Sequence, residues 1–263
     1  MDRITVVKIG GSTLGNHDTT LDDIVSLQRQ GKPLVVVHGG GKLITEWLAR
    51  LGVSSQFVRG ERVTDQPTLE VVVAVLAGLA NKDIVAAISS RGGRAVGIAG
   101  VDGSLIEGNI GDAAKGYVGV VTRVNPDIIT VLMGAGYVPI VAPVGLNTGP
   151  RPEGAPAALN FNADVVAGEI AAAVGADRLI FLTDVTGILD RTNQLVSDLS
   201  VADANAILDS GVASGGMIPK IQSCLRAVST TDVASVACIV DGREPHALMQ
   251  TMGQDYRGTT IHR

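Results

Sequence analysis

The sequence is poor in rings and in sulfur. Aromatic residues make up 3% of its 263 positions while hydrophobic residues as a whole reach 46%. The core therefore has to be built from Val, Ile, Leu and Ala, the composition of sheets covered by helices on both faces. Cysteine occurs only at Cys224 and Cys238. Without a CxxC or a Cys/His grouping, neither a zinc site nor a disulfide scaffold is expected, and both residues read as buried thiols. No run of Lys or Arg offsets the net charge of -5. That removes a nucleic-acid groove and an anionic membrane surface as partners and leaves only local anion sites. The longest apolar run, VVVAVLAGLA from Val71 to Ala80, falls short of the roughly 18 residues a membrane span requires. No basic, apolar leader precedes the first strand pattern, so a cytoplasmic protein is expected.

What is present is rhythm. Short Val/Ile-rich runs (ITVVKIG, PLVVVHG, RAVGIAG, VPIVAPV, RLIFLTD and VACIVDG) alternate with longer segments of helical spacing, the pattern of a parallel sheet in an α/β fold. Helices are expected over about 19–30, 41–51, 66–91, 125–136, 162–175, 201–210 and 215–229. The clearest follows Pro67, where Leu69, Val73, Leu76, Ala80, Ile84 and Ile88 recur every three or four residues. Its apolar face is broad enough to pack on a sheet or on a second subunit. SQFVRGERVTD reads as a hairpin turning at Gly60, and GLNTGPRPEGAPAALN as a Gly/Pro-rich loop or small hairpin. The length suits one large α/β domain or two modest lobes with a shallow division near residue 176.

Several polar residues interrupt the rhythm. Lys8 sits among Val6, Val7 and Ile9 in a strand that should be covered on both faces. An ammonium buried there needs an anion, from a carboxylate or from a ligand, unless its stem reaches solvent. The following Gly10, Gly11 and Ser12 allow backbone N–H groups to approach an anion at the carboxyl end of the strand, where open α/β sheets bind ligands. A second strand runs into Gly39, Gly40 and Gly41 and then a helix. Leu43 after Lys42 rules out a Walker A loop, and Ile44 occupies the last glycine position of a dinucleotide fingerprint. His38 reads as a hydrogen-bonded residue at the strand end rather than a base. Asn160, Asn162 and Asp164 alternate, and any of them could cap the next helix. Val165 and Ala171 stand where a calcium loop needs Gly and Glu. Lys220 falls near the positive end of a helix opened by Ser214 or the glycines after it, a place that favours a nearby anion; a solvated lysine is the plain alternative. Asp184 and Gly187 follow a strand end suited to a ribose or adenine contact. Arg62, beside Thr64, can fork two hydrogen bonds to a carboxylate, although an isolated loop arginine is usually only solvated.

In order along the chain, VVKIGGS, VHGGGK, RGERVTD, LAGLANK, GYVPIVAPVG, NFNAD, LTDVTGILD, GGMIPK and GTTI resemble the amino-acid kinase family, in the branch that phosphorylates acylated glutamate. The resemblance covers nearly the whole chain. It implies a three-layer αβα sandwich with a mainly parallel central sheet, a single domain over 1–263 made of two closely joined lobes. About 1–176 would hold the acyl amino acid and about 177–263 the nucleotide. The implied reaction moves the γ-phosphoryl group of ATP, with Mg2+ carried by the nucleotide, to the side-chain carboxylate of N-acetyl-L-glutamate, giving an acyl phosphate and ADP for arginine biosynthesis. Lys8 and Lys220 match the family's charge-stabilising lysines and Asp164 the aspartate that orients them. Gly11, Gly40 and Gly41 match the backbone donors. Arg62 and Asn160 match the residues that hold the amino acid. Asp184, Val185, Thr186, Gly187, Ile188 and Leu189, with Val212, Ala213 and Ser214, fall on the nucleotide-binding segments.

Such chemistry explains why the candidates around the transferring group are lysines, glycines and one aspartate. Repulsion between two anions opposes the transfer, so preorganised cations and N–H donors supply most of the catalysis. No general base is needed, because the attacking carboxylate is already ionised. The family's aspartate-rich, protein-held metal sites have no counterpart in the sequence. The chain also begins almost at its first strand, without the extra helix of resembling arginine-inhibited hexamers, so a homodimer without strong arginine feedback is expected. The rival readings are a carrier-linked aminoadipate kinase, which a basic rim would favour over the Glu61 and Asp65 that flank Arg62, and a catalytically silent sensor. Retention of Lys8, Asp164 and Lys220 together disfavours the sensor, and the missing glycine fingerprint disfavours a nicotinamide dehydrogenase.

Overall fold

The β-branched runs become neighbours in one sheet. A computed structural model describes residues 3–10, 19–58, 61–150, 154–230 and 235–263. The strands are β1 (Thr5–Ile9), β2 (Leu34–His38), β3 (Phe57–Val58), β4 (Glu61–Arg62), β5 (Ala95–Ala99), β6 (Ile106–Ile110), β7 (Gly119–Val124), β8 (Val138–Ala142), β9 (Val144–Asn147), β10 (Ala158–Asn160), β11 (Arg178–Thr183), β12 (Asp198–Ser200), β13 (Val236–Asp241) and β14 (Gly258–His262). The helices are α1 (Thr20–Arg29), α2 (Gly41–Arg50), α3 (Gln66–Val73), α4 (Asn81–Ser90), α5 (Asp127–Gly134), α6 (Ala163–Ala173), α7 (Val201–Asp209), α8 (Met217–Thr230) and α9 (Ala247–Gly253).

The main sheet has the order β12-β14-β13-β11-β1-β2-β8-β5, and only the β13–β14 pairing is antiparallel. Side chains alternate across it. Val6, Val37, Phe181 and Ile239 pack with Ile170 of α6 and Ile221 of α8. Val7, Val36, Ile180 and Val240 pack with Ile24 of α1, Ile84 of α4 and Leu248 of α9. This is the expected αβα sandwich, with an aliphatic core on each face. β1 pairs with β2 on one side and β11 on the other. The sheet is therefore continuous across the division read near residue 176.

VPIVAPV is two strands rather than one. Pro143 has no N–H to extend the ladder, so β8 ends at Ala142 and β9 continues into a second sheet of order β10-β9-β6-β7. β9 and β10 pair antiparallel, which makes the Gly/Pro-rich stretch between them a hairpin connection. β3 and β4 form the other expected hairpin; its turn at Gly60 lies outside the described residues. β6 escaped the sequence reading because IEGNI lacks alternation. Its Gly108 admits no side chain, since a Cβ there would meet the Val120 carbonyl and the Phe161 ring.

The helix after Pro67 runs without a break from Gln66 to Ser90, capped by Asp65, which accepts from the Thr68 N–H at 3.0 Å. By length and composition it could cross a membrane, which the apolar run alone did not suggest. One side of it packs inward through Leu69, Val72, Leu76, Ile84 and Ile88. Its middle, Ala74–Ala80, is a π-helix. Leu69, Val72 and Leu76 keep ordinary helical spacing, which buries Val72 and not Val73; the wider turn then shifts the inward face, so that Val75 and Asn81 are buried and Ala80 is only partly so.

Candidate active site

Lys8 shares its face of the sheet with Val6, the side covered by α6 and α8. α6 leads into β11 and α8 into β13, so each helix starts at the carboxyl end of the sheet, as right-handed crossovers require. The two helices approach closely at Gly168, where a Cβ would lie 2.8 Å from Ser223 Cβ. That approach brings Asp164, in the first turn of α6, between the two lysines. Lys8 Nζ is 2.7 Å from Asp164 Oδ1, and Lys220 Nζ is 2.8 Å from Asp164 Oδ2. Asn162 caps α6 by accepting from the Asp164 and Val165 N–H groups, which leaves the Asp164 carboxylate to the ammoniums. Lys8 is 8% exposed and Asp164 6%. Burial pushes the Asp164 carboxyl up, but Lys8 and Lys220 outweigh it and hold the group below the usual carboxylate range. Two cations share one anion, so the cluster presents a surplus positive charge.

Beside it, the turn after β2 opens a cleft of about 230 Å³ lined by Gly39, Gly40, Gly41, Arg62, Asn160 and Asn162, with Phe57, Leu76 and Phe161 as apolar walls. A Cβ on Gly40 would lie 2.6 Å from Leu76 Cδ2, so the backbone itself forms this wall. Arg62 is no solvated loop arginine. It is 9% exposed, stacks on Phe57 at 4.8 Å, and donates to Ser55 Oγ at 2.6 Å, Thr45 Oγ1 at 2.7 Å and the Gly41 carbonyl at 3.0 Å. Asn160 Nδ2 donates to Thr64 Oγ1 at 3.1 Å. His38 is buried and hydrogen-bonded at the strand end, as read, with its pKa lowered by burial to about 4.

The remaining candidates divide. Gly11 lies outside the described residues. Asp184, Val185 and Thr186 follow the carboxyl end of β11, and Val185 and Leu189 are exposed. Ile188 and Ala213 are core residues, and the Ile188 N–H is taken by Thr259 Oγ1 at 2.8 Å. These two side chains face the interior, and the Ile188 carbonyl accepts from the Val196 N–H at 2.9 Å, so both backbone groups of Ile188 are engaged within the protein. Gly187 is buried, a Cβ there meeting Thr259 and Leu195. Val212 is partly buried, and Ser214 is exposed with its carbonyl bonded to the Met217 N–H at 3.1 Å.

The sequence profile of the Amino acid kinase family matches residues 3–237. The chain belongs to the amino acid kinase family. An acetylglutamate kinase of Dehalococcoides mccartyi is 46% identical over 260 residues, covering 99% of this chain and 94% of that protein. An acetylglutamate kinase of Moorella thermoacetica is 44% identical, covering 94% and 86%. Among solved structures, smu.665 of Streptococcus mutans superposes with a TM-score of 0.81 at 28% identity, covering 99% of each chain.

Within this amino acid kinase family member, the sequence reading missed Phe57, Leu76 and Phe161, because apolar residues that wall a cleft look like any other core residue. Phe57, one of three phenylalanines and beside the RGERVTD motif, offered the one usable signal. Among the described residues, no three His, Cys, Asp or Glu side chains are grouped to hold a metal. Asp164 has both oxygens engaged by ammoniums, so a divalent ion that comes with a nucleotide fits here only through phosphate and water ligands.

Proposed function

We propose that the chain transfers the γ-phosphoryl group of ATP to the side-chain carboxylate of N-acetyl-L-glutamate, producing ADP and an acyl phosphate, the reaction by which an acetylglutamate kinase serves arginine biosynthesis. The observation that carries this reading is the meeting of Lys8, Asp164 and Lys220 beside a glycine-walled cleft. The high identity to acetylglutamate kinases over nearly the full chain supports the same substrate.

In this mechanism Arg62 and Asn160 hold the amino-acid end, leaving the side-chain carboxylate directed at the phosphorus. Lys8 and Lys220 stabilise the charge spread over the equatorial oxygens, and Asp164 fixes both ammoniums before substrate arrives, so little reorganisation accompanies the transfer. Backbone N–H groups of Gly11, Gly40 and Gly41 complete the cradle. The carboxylate attacks in ionised form, and the bond to the ADP oxygen breaks as the bond to the carboxylate oxygen forms. Mg2+ bound to the nucleotide phosphates neutralises part of their charge. Asp184, Val185, Thr186 and Leu189 by side chain, Gly187 by backbone, Ile188 as the core residue that anchors the segment, and the 212–214 segment form the nucleotide end.

Residues of about 1–176 form the acyl-amino-acid lobe and about 177–263 the nucleotide lobe. The protein acts in the cytoplasm as a homodimer, for which the partly exposed apolar flank of the Gln66–Ser90 helix, with Leu79 exposed, is the suited surface. The deciding experiment is ATP-dependent hydroxamate formation with N-acetylglutamate, free glutamate, aspartate, N-acetylaminoadipate and carbamate. Turnover is expected on the first. Turnover only on another acceptor overturns the substrate assignment, and none on any acceptor overturns the enzyme.

A further inference from the structure

His38 ends β2 with its ring wholly buried and takes no part in the chemistry above. It points to the α1 and α4 face of the sheet, alternating with Val37. There Asn81, the first residue of α4 and also fully buried, turns its Nδ2 to the Ile140 carbonyl at 2.8 Å and to His38 Nε2 at 3.2 Å. Its Oδ1 accepts from Lys82 Nζ at 3.0 Å. A primary amide nitrogen only donates. The Lys82 ammonium on one side and the Ile140 carbonyl on the other fix which way this amide faces, so Nε2 of His38 must accept. The ring proton is then on Nδ1, 2.9 Å from the Gly39 carbonyl that receives it.

The consequence reaches the cleft through one peptide plane. In a trans peptide the carbonyl and the following N–H point in opposite directions. With the Gly39 carbonyl drawn toward His38, the Gly40 N–H is turned the other way, into the cleft beside Asn162 and Ala163. It has no hydrogen-bond partner among the described residues. We propose that Lys82, exposed at the surface, and the buried Asn81 and His38 form a relay that positions the Gly39–Gly40 peptide, so that the Gly40 N–H is held aimed at the phosphoryl group in transfer. His38 is in this sense a positioning residue, acting through a peptide bond. Two further observations agree. A Cβ at Gly97 would overlap Asn81 Oδ1, so the strand leaves the amide its place. His38 is kept neutral, and able to accept at Nε2, chiefly by burial; the Gly39 bond opposes this, and the Lys8 and Lys82 charges assist it.

The proposal rests on the phosphoryl-transfer reading, and its test separates the two. Wild-type turnover of MgATP with N-acetylglutamate is the control, and failure there counts against that reading alone. The tautomer is read on the wild-type protein by ¹⁵N NMR of labelled histidine, with His38 assigned by the signal lost in His38→Asn. The Nδ1–H form without titration between about pH 5 and 8 is expected. An Nε2–H form, or a titration in that range, overturns the relay. Among variants, His38→Asn keeps an amide donor at the position of Nδ1, whereas His38→Gln keeps a partner for Asn81 but no donor to Gly39. The asparagine variant should hold kcat within about threefold, and the glutamine variant should lose at least about twentyfold, with the KM for ATP within about twofold in both. Equal losses of kcat per folded molecule, the result of a merely space-filling ring, also overturn it. Should neither variant fold, the wild-type spectrum decides.

Discussion

Arg62 lies 9% exposed over a phenylalanine ring with three hydrogen-bond partners, whereas Val185 and Leu189, on the segment assigned to the nucleotide, leave 41% and 44% of their surface in water. The first region spends its polar groups on fixing one another: both Nη2 hydrogens and one Nη1 hydrogen of Arg62 are already given to the protein, so the guanidinium is held in one orientation with little rotamer entropy left to lose, and a carboxylate gains its two-pronged contact by displacing one of those partners. The second bonds its backbone to the protein and leaves apolar side chains to cover, which suits a flat aromatic base recognised by area. Between them stands the charged cluster, whose members are already paired. Burial is thus graded across the proposed site: greatest at the residues proposed to hold the transferring group and the acceptor, least on the segment proposed for the nucleotide.

The contrast can be broken hardest at its centre. Asp164→Asn leaves two ammoniums without their shared anion and should cost about 3–5 kcal/mol of stability, the range for removing one partner of a buried ion pair, read as a fall in urea midpoint. Because the wild-type carboxyl is held below its unfolded value near 3.8, its contribution is present above that value and is lost as pH falls through the folded pKa. The stability difference between the two proteins should therefore close in acid. A constant difference down to pH 2 would remove Asp164 from the titration.

Next in size, Lys8→Ala or Lys220→Ala should lower kcat by about 2–4 kcal/mol in barrier with little change in the KM for ATP. Unchanged turnover would take the lysines out of the mechanism. Arg62→Ala should act mainly on the KM for the acyl amino acid, by about 1.5–3 kcal/mol, with Arg62→Lys recovering little because the fork is lost; a selective effect on the KM for ATP would reverse the two ends. Smallest, Val185→Ser and Leu189→Ser should each raise the KM for ATP by about 1 kcal/mol or less through lost apolar burial. If either instead halves kcat at saturating ATP, the loose end is not loose.

How far the site was legible depended on which residues broke a local rule. A lysine inside an apolar strand demands compensation, so Lys8 announced itself, whereas Asp164 was one of three residues able to cap the helix and took its place beside the lysines only through the family resemblance. The six principal strands and seven helices carried their own periodicity. Arg62 was harder, since its burial depends on Ser55, Thr45 and the Gly41 carbonyl, contacts that no local pattern encodes. The inward set of the long helix was misread at Ala80 because period 3.6 does not describe a π turn, and at Val73 because steps of three and of four from Leu69 fit helical spacing equally well. Ile188 and Ala213 entered the nucleotide set by motif position and proved to be core side chains, a distinction that sits in the third dimension. β12, of three residues, and α9, of seven, are too short to show a period at all.

The position of β1 between β2 and β11 has a consequence for synthesis. A ribosome delivers β1 first, yet one of its two hydrogen-bonding edges has no mate until the chain has been made through Thr183, and the Lys8 ammonium has no carboxylate until Asp164 emerges. A nascent chain stalled anywhere between those points carries an open aliphatic edge with a charge in its middle. A charge in that position works against pairing of the unfinished strand with another chain.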